Sequence, residues 1–115
     1  MATRPLTPTV FHILLALGGQ SRHGYDIIKQ VTRDTGGRVR IAPGTLYNAL
    51  HRLVQEGAVC EVGERPAPEL DDERRRYYGL TAHGQHILAA EVERLRQALA
   101  LADRRLALGA GGPSA

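Results

Sequence analysis

The chain of 115 residues has little of several residue types, and each scarcity excludes a class of protein. Its single cysteine, Cys60, excludes an internal disulfide framework and fits a reducing compartment. It has no tryptophan and one phenylalanine, which leaves little material for an aromatic stacking site. The longest apolar run, from Ile13 to Leu17, is far shorter than the ~20 residues of a membrane span. The N-terminal residues also lack a signal-peptide pattern, so a soluble, cytoplasmic protein that does not enter a membrane is expected.

Acidic residues are scarce in the first half of the chain. Residues 1–55 carry six arginines and Lys29 against Asp26 and Asp34, whereas the acidic residues concentrate between positions 56 and 73 and are followed by the triplet 74–76. The net charge of +3 gives a mild indication of an anionic partner. Nearly all the basic residues are arginines, which suit bidentate contacts with phosphate. A GC-rich genome would give the same preference over lysine, so this preference alone is weak evidence for a phosphate-containing partner.

Three short helices are predicted in the first half. Thr7 is a candidate N-cap for a helix from Pro8 to Leu17, which is apolar on nearly all sides and therefore should face both its own core and a second chain. The second helix is expected over residues 23–35, before two glycines. The third begins at Pro43 and stops at Gly57.

The third helix has one apolar and one polar face. Its predicted core face holds Leu46, Leu50, Leu53 and Val54. The opposite face carries polar or small side chains and no acid before Glu56, with two residues at its flanks: Gly44, Asn48, His51, Arg52 and Gln55, flanked by Thr45 and Tyr47. Such a face fits a DNA major groove, where outward side chains can bond to base edges. Arg52 could instead form an ion pair with Glu56.

The second half predicts a β-hairpin and a long helix. The β-prone runs "AVCEV" and "RRYYGL" enclose a turn-rich, acidic tip. Thr81 is a plausible N-cap for a helix over residues 81–108. Apolar residues spaced by four and three along it predict a coiled-coil seam for dimerisation, the alternative being a core helix lying on the domain: Leu88, Val92, Leu95, Leu99, Ala102 and Leu106.

These elements predict a mainly α protein with a two-stranded β-wing, that is, a winged helix-turn-helix followed by a dimerisation helix. The DNA-binding domain is expected over residues 6–80, the dimerisation helix over 81–108 and a disordered tail over 109–115.

Three strings of the sequence, taken together, resemble the PadR family of bacterial transcriptional regulators. They are "HGYDIIKQV", "PGTLYNALHRLVQEG" and "RRRYYGLTAHG", in the expected order and at the expected separations. The resemblance implies a homodimeric repressor that binds a pseudo-palindromic double-stranded operator, with the C-terminal helix packed against the N-terminal helix of the partner. It also implies that a small-molecule effector at the dimer interface can release the DNA.

The resemblance also assigns residues to the interface. Tyr25 matches a tyrosine expected near the DNA backbone, and Gly44, Thr45 and Tyr47 match the start of the recognition helix. The complete set of candidate DNA-binding residues is Tyr25, Lys29, Gly44, Thr45, Tyr47, Asn48, His51, Arg52, Arg74, Arg75 and Arg76. Two positions depart from the family pattern: Ala42 stands where a capping serine is common, and Asn48, which can bond adenine bidentately, stands where proline is common.

Phe11 and Leu15 of the first helix join the seam as candidate dimerisation residues. Together with Leu88, Val92 and Leu95 they could line an effector cavity or an equally dry dimer interface.

Three other functions compete with DNA binding. His83 and His86 have the i, i+3 spacing of metal ligands, but no carboxylate or cysteine lies nearby to complete a sensor site. An enzyme would need a nucleophile beside a positioned base, and the sequence does not indicate such a pair, so neither catalysis nor a cofactor is expected. A winged helix can also bind protein instead of DNA.

Overall fold

The computed structural model describes residues 5–63 and 76–110. The elements in chain order are α1 (Pro8–Ala16), β1 (Arg22–His23), α2 (Gly24–Asp34), α3 (Pro43–Gln55), β2 (Val59–Val62), β3 (Tyr77–Leu80) and α4 (Ala82–Ala110). All four predicted helices are confirmed. Their observed first and last residues differ from the predicted ones by no more than two positions. Helix α4 continues to Ala110, two residues beyond its expected end, and residues 111–115 of the expected tail lie outside the described residues.

Two threonines begin helices as the sequence predicts. The hydroxyl of Thr7 accepts a hydrogen bond from the Val10 N–H at 3.2 Å. The hydroxyl oxygen of Thr81 accepts one from the Gly84 N–H at 3.0 Å, and the same hydroxyl donates to the carbonyl of Gly57. Thr81 therefore caps α4 and also joins its start to the turn that ends α3.

The sheet has one more strand than the predicted hairpin. Strands β2 and β3 pair antiparallel in the register Val59↔Leu80, as expected, but β1 adds to the other edge of β3 with Arg22 opposite Tyr78. A strand of two residues is too short to show an alternating pattern, which is why the sequence did not indicate it. Through β1, the start of α2 is hydrogen bonded to the wing.

One core holds the helices and the sheet together. Its fully buried side chains come from every helix of the first half and from the hairpin: Ile13, Leu14, Leu17, Ile27, Val31, Leu46, Leu50 and Val59. The prediction that Val54 belongs to this core is wrong, since its exposed fraction is 40%. At 100° per residue Val54 lies about 80° from Leu46 around α3, beyond Leu50 and at the margin of the buried face.

Helix α4 projects from this core. The molecule measures 68 × 33 × 21 Å, and the second half of α4 supplies much of the long dimension. Ile87 and Leu88 pack against the core, whereas every described side chain from Arg96 onward is exposed. None of the helices in residues 5–63 and 76–110 is long and apolar enough to cross a membrane.

Candidate nucleic-acid interface

The outer face of α3 is open to solvent. Leu46, Leu50 and Leu53 are buried with at most 5% of each side chain exposed. Five of the six predicted DNA-binding residues on this helix are exposed: Gly44, Thr45, Asn48, His51 and Arg52. Because the buried and exposed residues lie on opposite sides, the helix can present its polar face to a partner without uncovering the core.

Arg52 lies on the flank of this face. With Leu6 and Val10 it borders a cavity of about 300 Å³ beside the start of α1. The considered ion pair with Glu56 is not formed, and no carboxylate in residues 5–63 or 76–110 is paired with Arg52. Its guanidinium therefore remains available to an external anion.

The N-terminus of α3 is also accessible. Ala42 stands at the N-cap with extended backbone angles, and its side chain makes no capping hydrogen bond. The first N–H groups of a helix have no partner within the helix, and together with the helix dipole they attract anions. A Cβ built on Gly44 would meet no described atom within 4 Å, so packing within the chain does not require glycine there. The open space suits the close approach of a phosphate.

Tyr47 occupies a different environment from its neighbours. It is half-buried and packs against the core, so the expected position at the flank of the outer face is only partly correct. Its ring lies against the first residue of α2, because a Cβ built on Gly24 would be 2.8 Å from both Cε1 and Cζ of Tyr47. The glycine of "HGY" and the tyrosine of "GTLY" therefore form one contact that sets α3 against α2.

The "HGY" segment also builds the start of α2. His23 is the N-cap, and its Nδ1 accepts a hydrogen bond from the Asp26 N–H at 3.1 Å. The His23 ring lies edge-on to Tyr77 of β3, with ring centroids 5.6 Å apart. Tyr25 is 44% exposed, and Lys29 lies exposed one turn further along the same face. Both candidate contacts are thus presented outward from a tightly fixed helix start.

The wing contributes one described member of the arginine triplet. Arg74 and Arg75 lie outside the described residues. Arg76 is half-buried, and its Nη1 lies 3.5 Å from Oε1 of Glu61 across the β2–β3 pair. This acidic partner of Arg76 lies in strand β2.

Helix α4 carries a buried charge that the helical pattern did not indicate. Glu91 is 4% exposed, and its carboxylate accepts hydrogen bonds from Arg94 at 2.9 and 2.7 Å. The bond from Arg94 and one from the Leu6 backbone lower the pKa of this carboxyl, against the opposing effect of its burial. The buried carboxylate of Glu91 is therefore held by Arg94 of the same helix. Glu91 lies three residues after Leu88 and four before Leu95, and this spacing from two apolar seam residues is the one feature of the sequence that points to its burial.

Only part of the expected effector site comes together in the single chain. Leu88 and Val92 border an open cleft of about 400 Å³ with Gly18, Gly19 and Leu80. Phe11, Leu15 and Leu95 do not border that cleft. Leu15 is 39% exposed on the outer side of α1, so an apolar surface is left beside α4.

The two histidines with the spacing of metal ligands lie on the surface. His83 and His86 are both exposed at the start of α4. Within the described part of the chain, no group of three or more histidine, cysteine, aspartate or glutamate side chains is placed to hold a metal ion.

Comparisons with known proteins agree with this geometry. The model of the transcriptional regulator PadR-like family matches residues 13–90, more than half of the chain. A PadR family transcription regulator from Clostridium difficile R20291 is 26% identical, with a TM-score of 0.65 over 84% of this chain and 96% of that one. RosR from H. salinarum is 28% identical, with a TM-score of 0.62 over 90% and 97%.

A third structure is useful for the fold alone. Bacillus subtilis PadR in complex with operator DNA is 22% identical, with a TM-score of 0.63 over 75% of this chain and 47% of that one. No relative was found among curated proteins. The family match, together with the winged-helix fold, shows that the chain belongs to the PadR-like family of transcriptional regulators.

Proposed function

We propose that this regulator is a homodimeric repressor that recognises a pseudo-palindromic operator through α3. The observation that carries the proposal is the solvent-exposed, acid-free face of α3 centred on Asn48 and His51. A helix of this kind fits the major groove, and an asparagine there can bond adenine with both of its polar atoms. Gly44, Thr45 and the uncapped helix start would hold the backbone, so positioning and base recognition fall to different residues.

The dimer is proposed from the apolar residues that the single chain leaves exposed on α4. Leu99, Leu106 and Leu108 have exposed fractions of 63%, 71% and 77%. Leucines exposed to this extent along one projecting helix are costly in water, at about 25 cal/mol for each Å² of apolar surface. A second copy of the chain would cover them, and exposed Leu15 on α1 lies on a further apolar surface that the partner's helix can meet.

Repression and its relief are proposed on the basis of this arrangement. A dimer seated on an operator that overlaps a promoter would block transcription. The effector, a small molecule of unspecified structure, is proposed to bind where the cleft beside Leu88 and Val92 meets the dimer interface. Binding there would change the relation of α4 to the DNA-binding domain and release the DNA.

Selection of genomic fragments by the purified protein tests the function. The fragments that bind should share a pseudo-palindrome, and footprinting should protect two half-sites whose centres are one helical turn, about 10 bp, or a multiple of it apart. Protection of a single half-site at saturating protein would contradict the dimer. Failure to enrich any DNA would favour a winged helix that binds protein.

A further inference from the structure

The turn between α2 and α3 is a basic surface that the candidate interface does not include. From Thr35 to Gln55 the chain has three arginines and no acidic residue. Two of them, Arg38 and Arg40, lie in the turn and are exposed. The nearest acid in sequence, Asp34, borders the same cleft as Arg38, but its carboxylate accepts a hydrogen bond from Gln30 at 2.7 Å.

Both guanidinium groups are held by backbone carbonyls. Nε of Arg38 donates to the Thr35 carbonyl, and Nε of Arg40 donates to the Gly37 carbonyl, each at 3.2 Å. Gly37 has a φ of +83°, and a Cβ there would lie 3.2 Å from Nη2 of Arg40, so glycine suits both the backbone and the space.

This anchoring leaves most of each guanidinium unused. A guanidinium has five N–H groups, of which the Nε bond takes one. Neither Arg38 nor Arg40 forms an ion pair with any carboxylate in residues 5–63 or 76–110. The two Nη groups of each side chain therefore remain for an external acceptor, and their planar arrangement matches the oxygens of a phosphate.

The turn leads directly into the exposed start of α3. Arg40 precedes the N-cap, Ala42, by two residues, so their Cα atoms are at most about 8 Å apart. We propose that Arg38 and Arg40 bind the phosphate backbone beside the groove that α3 enters, at a place separate from the wing. This inference rests on the proposed function, because it requires α3 to lie in the groove.

If these arginines only stabilise the fold, their removal should have a different effect on DNA binding. Basic side chains near a helix C-terminus stabilise it by bonding its last carbonyls, and Thr35 is the C-cap of α2. If that is their whole role, removing them lowers thermal stability and leaves the dependence of DNA affinity on salt unchanged. The salt dependence of binding therefore separates the two roles.

The test measures affinity for a selected operator and for a scrambled duplex from low to high salt. The double variant Arg38→Ala with Arg40→Ala should bind both duplexes more weakly. Its slope of log K against log salt should become shallower by about 0.9 for each phosphate that the variant no longer neutralises. The variant with lysine at both positions keeps the charge and should retain most of the slope. A matched control, Arg104→Ala with Arg105→Ala on the exposed end of α4, removes the same charge and should keep the wild-type slope.

The outcomes separate this inference from the proposed function. If the alanine variant keeps the wild-type slope, or changes it no more than the α4 control does, phosphate binding by the turn is refuted while DNA binding through α3 stands. A lowered melting temperature with an unchanged slope refutes it equally and assigns the arginines to the end of α2. If the wild-type protein binds neither duplex, the proposed function and this inference both fail.

Discussion

The contact between Gly24 and Tyr47 predicts that replacing Gly24 by alanine lowers the stability of the protein, whereas such a replacement usually raises it. Gly24 is the first residue of α2, where alanine normally stabilises a protein by about 0.4–1 kcal/mol, because it restricts the unfolded chain. Here the new Cβ would lie 2.8 Å from two ring carbons of Tyr47, whereas carbon atoms pack at about 3.5–4.0 Å. Overpacking of this kind costs about 1–3 kcal/mol. The overpacking cost less the usual gain leaves a net destabilisation of up to about 2.6 kcal/mol for Gly24→Ala, with a middle value of about 1.3 kcal/mol.

Urea unfolding followed by circular dichroism measures this difference. Gly44→Ala is the matched control, because its Cβ would meet no described atom within 4 Å, and this substitution in α3 should be neutral or stabilising. In a Tyr47→Ala background the ring is gone, so Gly24→Ala should no longer destabilise and the double-mutant cycle should show coupling. If Gly24→Ala stabilises the wild-type chain as Gly44→Ala does, the reasoning is refuted.

Three further predictions concern the interface, the buried charge and the dimer. Asn48→Ala should change the preference for one base pair in each half-site by about 1–3 kcal/mol, measured with singly substituted operators; an unchanged preference means that Asn48 does not recognise a base. The pKa of Glu91 is lowered, chiefly by Arg94, so its stabilising contribution is full above the usual value of 4.5 and is lost as the pH falls through the lowered value. The stability difference between wild type and Glu91→Gln, measured by urea unfolding from pH 7 to 3, should therefore shrink in acid, and a constant difference would contradict this. Leu99→Glu with Leu106→Glu should give monomers in analytical ultracentrifugation, and dimers of undiminished stability would argue against the seam.

The sequence predicted the helices well because their signals are local. Thr7 and Thr81 cap helices as expected, and Pro43 and Gly57 bound α3. Those signals depend on a few neighbouring residues, so they survive without knowledge of the tertiary structure.

The missed features depend on contacts between distant parts of the chain. Strand β1 exists because β3 offers a free edge beside Arg22, and the half-buried position of Tyr47 exists because Gly24 makes room for its ring. The Leu6 backbone, which is far from Glu91 in sequence, is among the groups that lower the pKa of its carboxyl. Helical periodicity places a residue on a face but does not say what covers that face. For the same reason, dimerisation through the seam of α4 stays a prediction, because a single chain does not show what covers that seam.

The central claim, sequence-specific DNA binding through α3, is tested most directly by comparing affinities for the selected operator and a scrambled duplex of equal length near physiological salt. We predict that the operator binds at least about 10³-fold more tightly, as specific regulators generally do. Equal affinity for the two duplexes, or no measurable affinity for either, would contradict the claim.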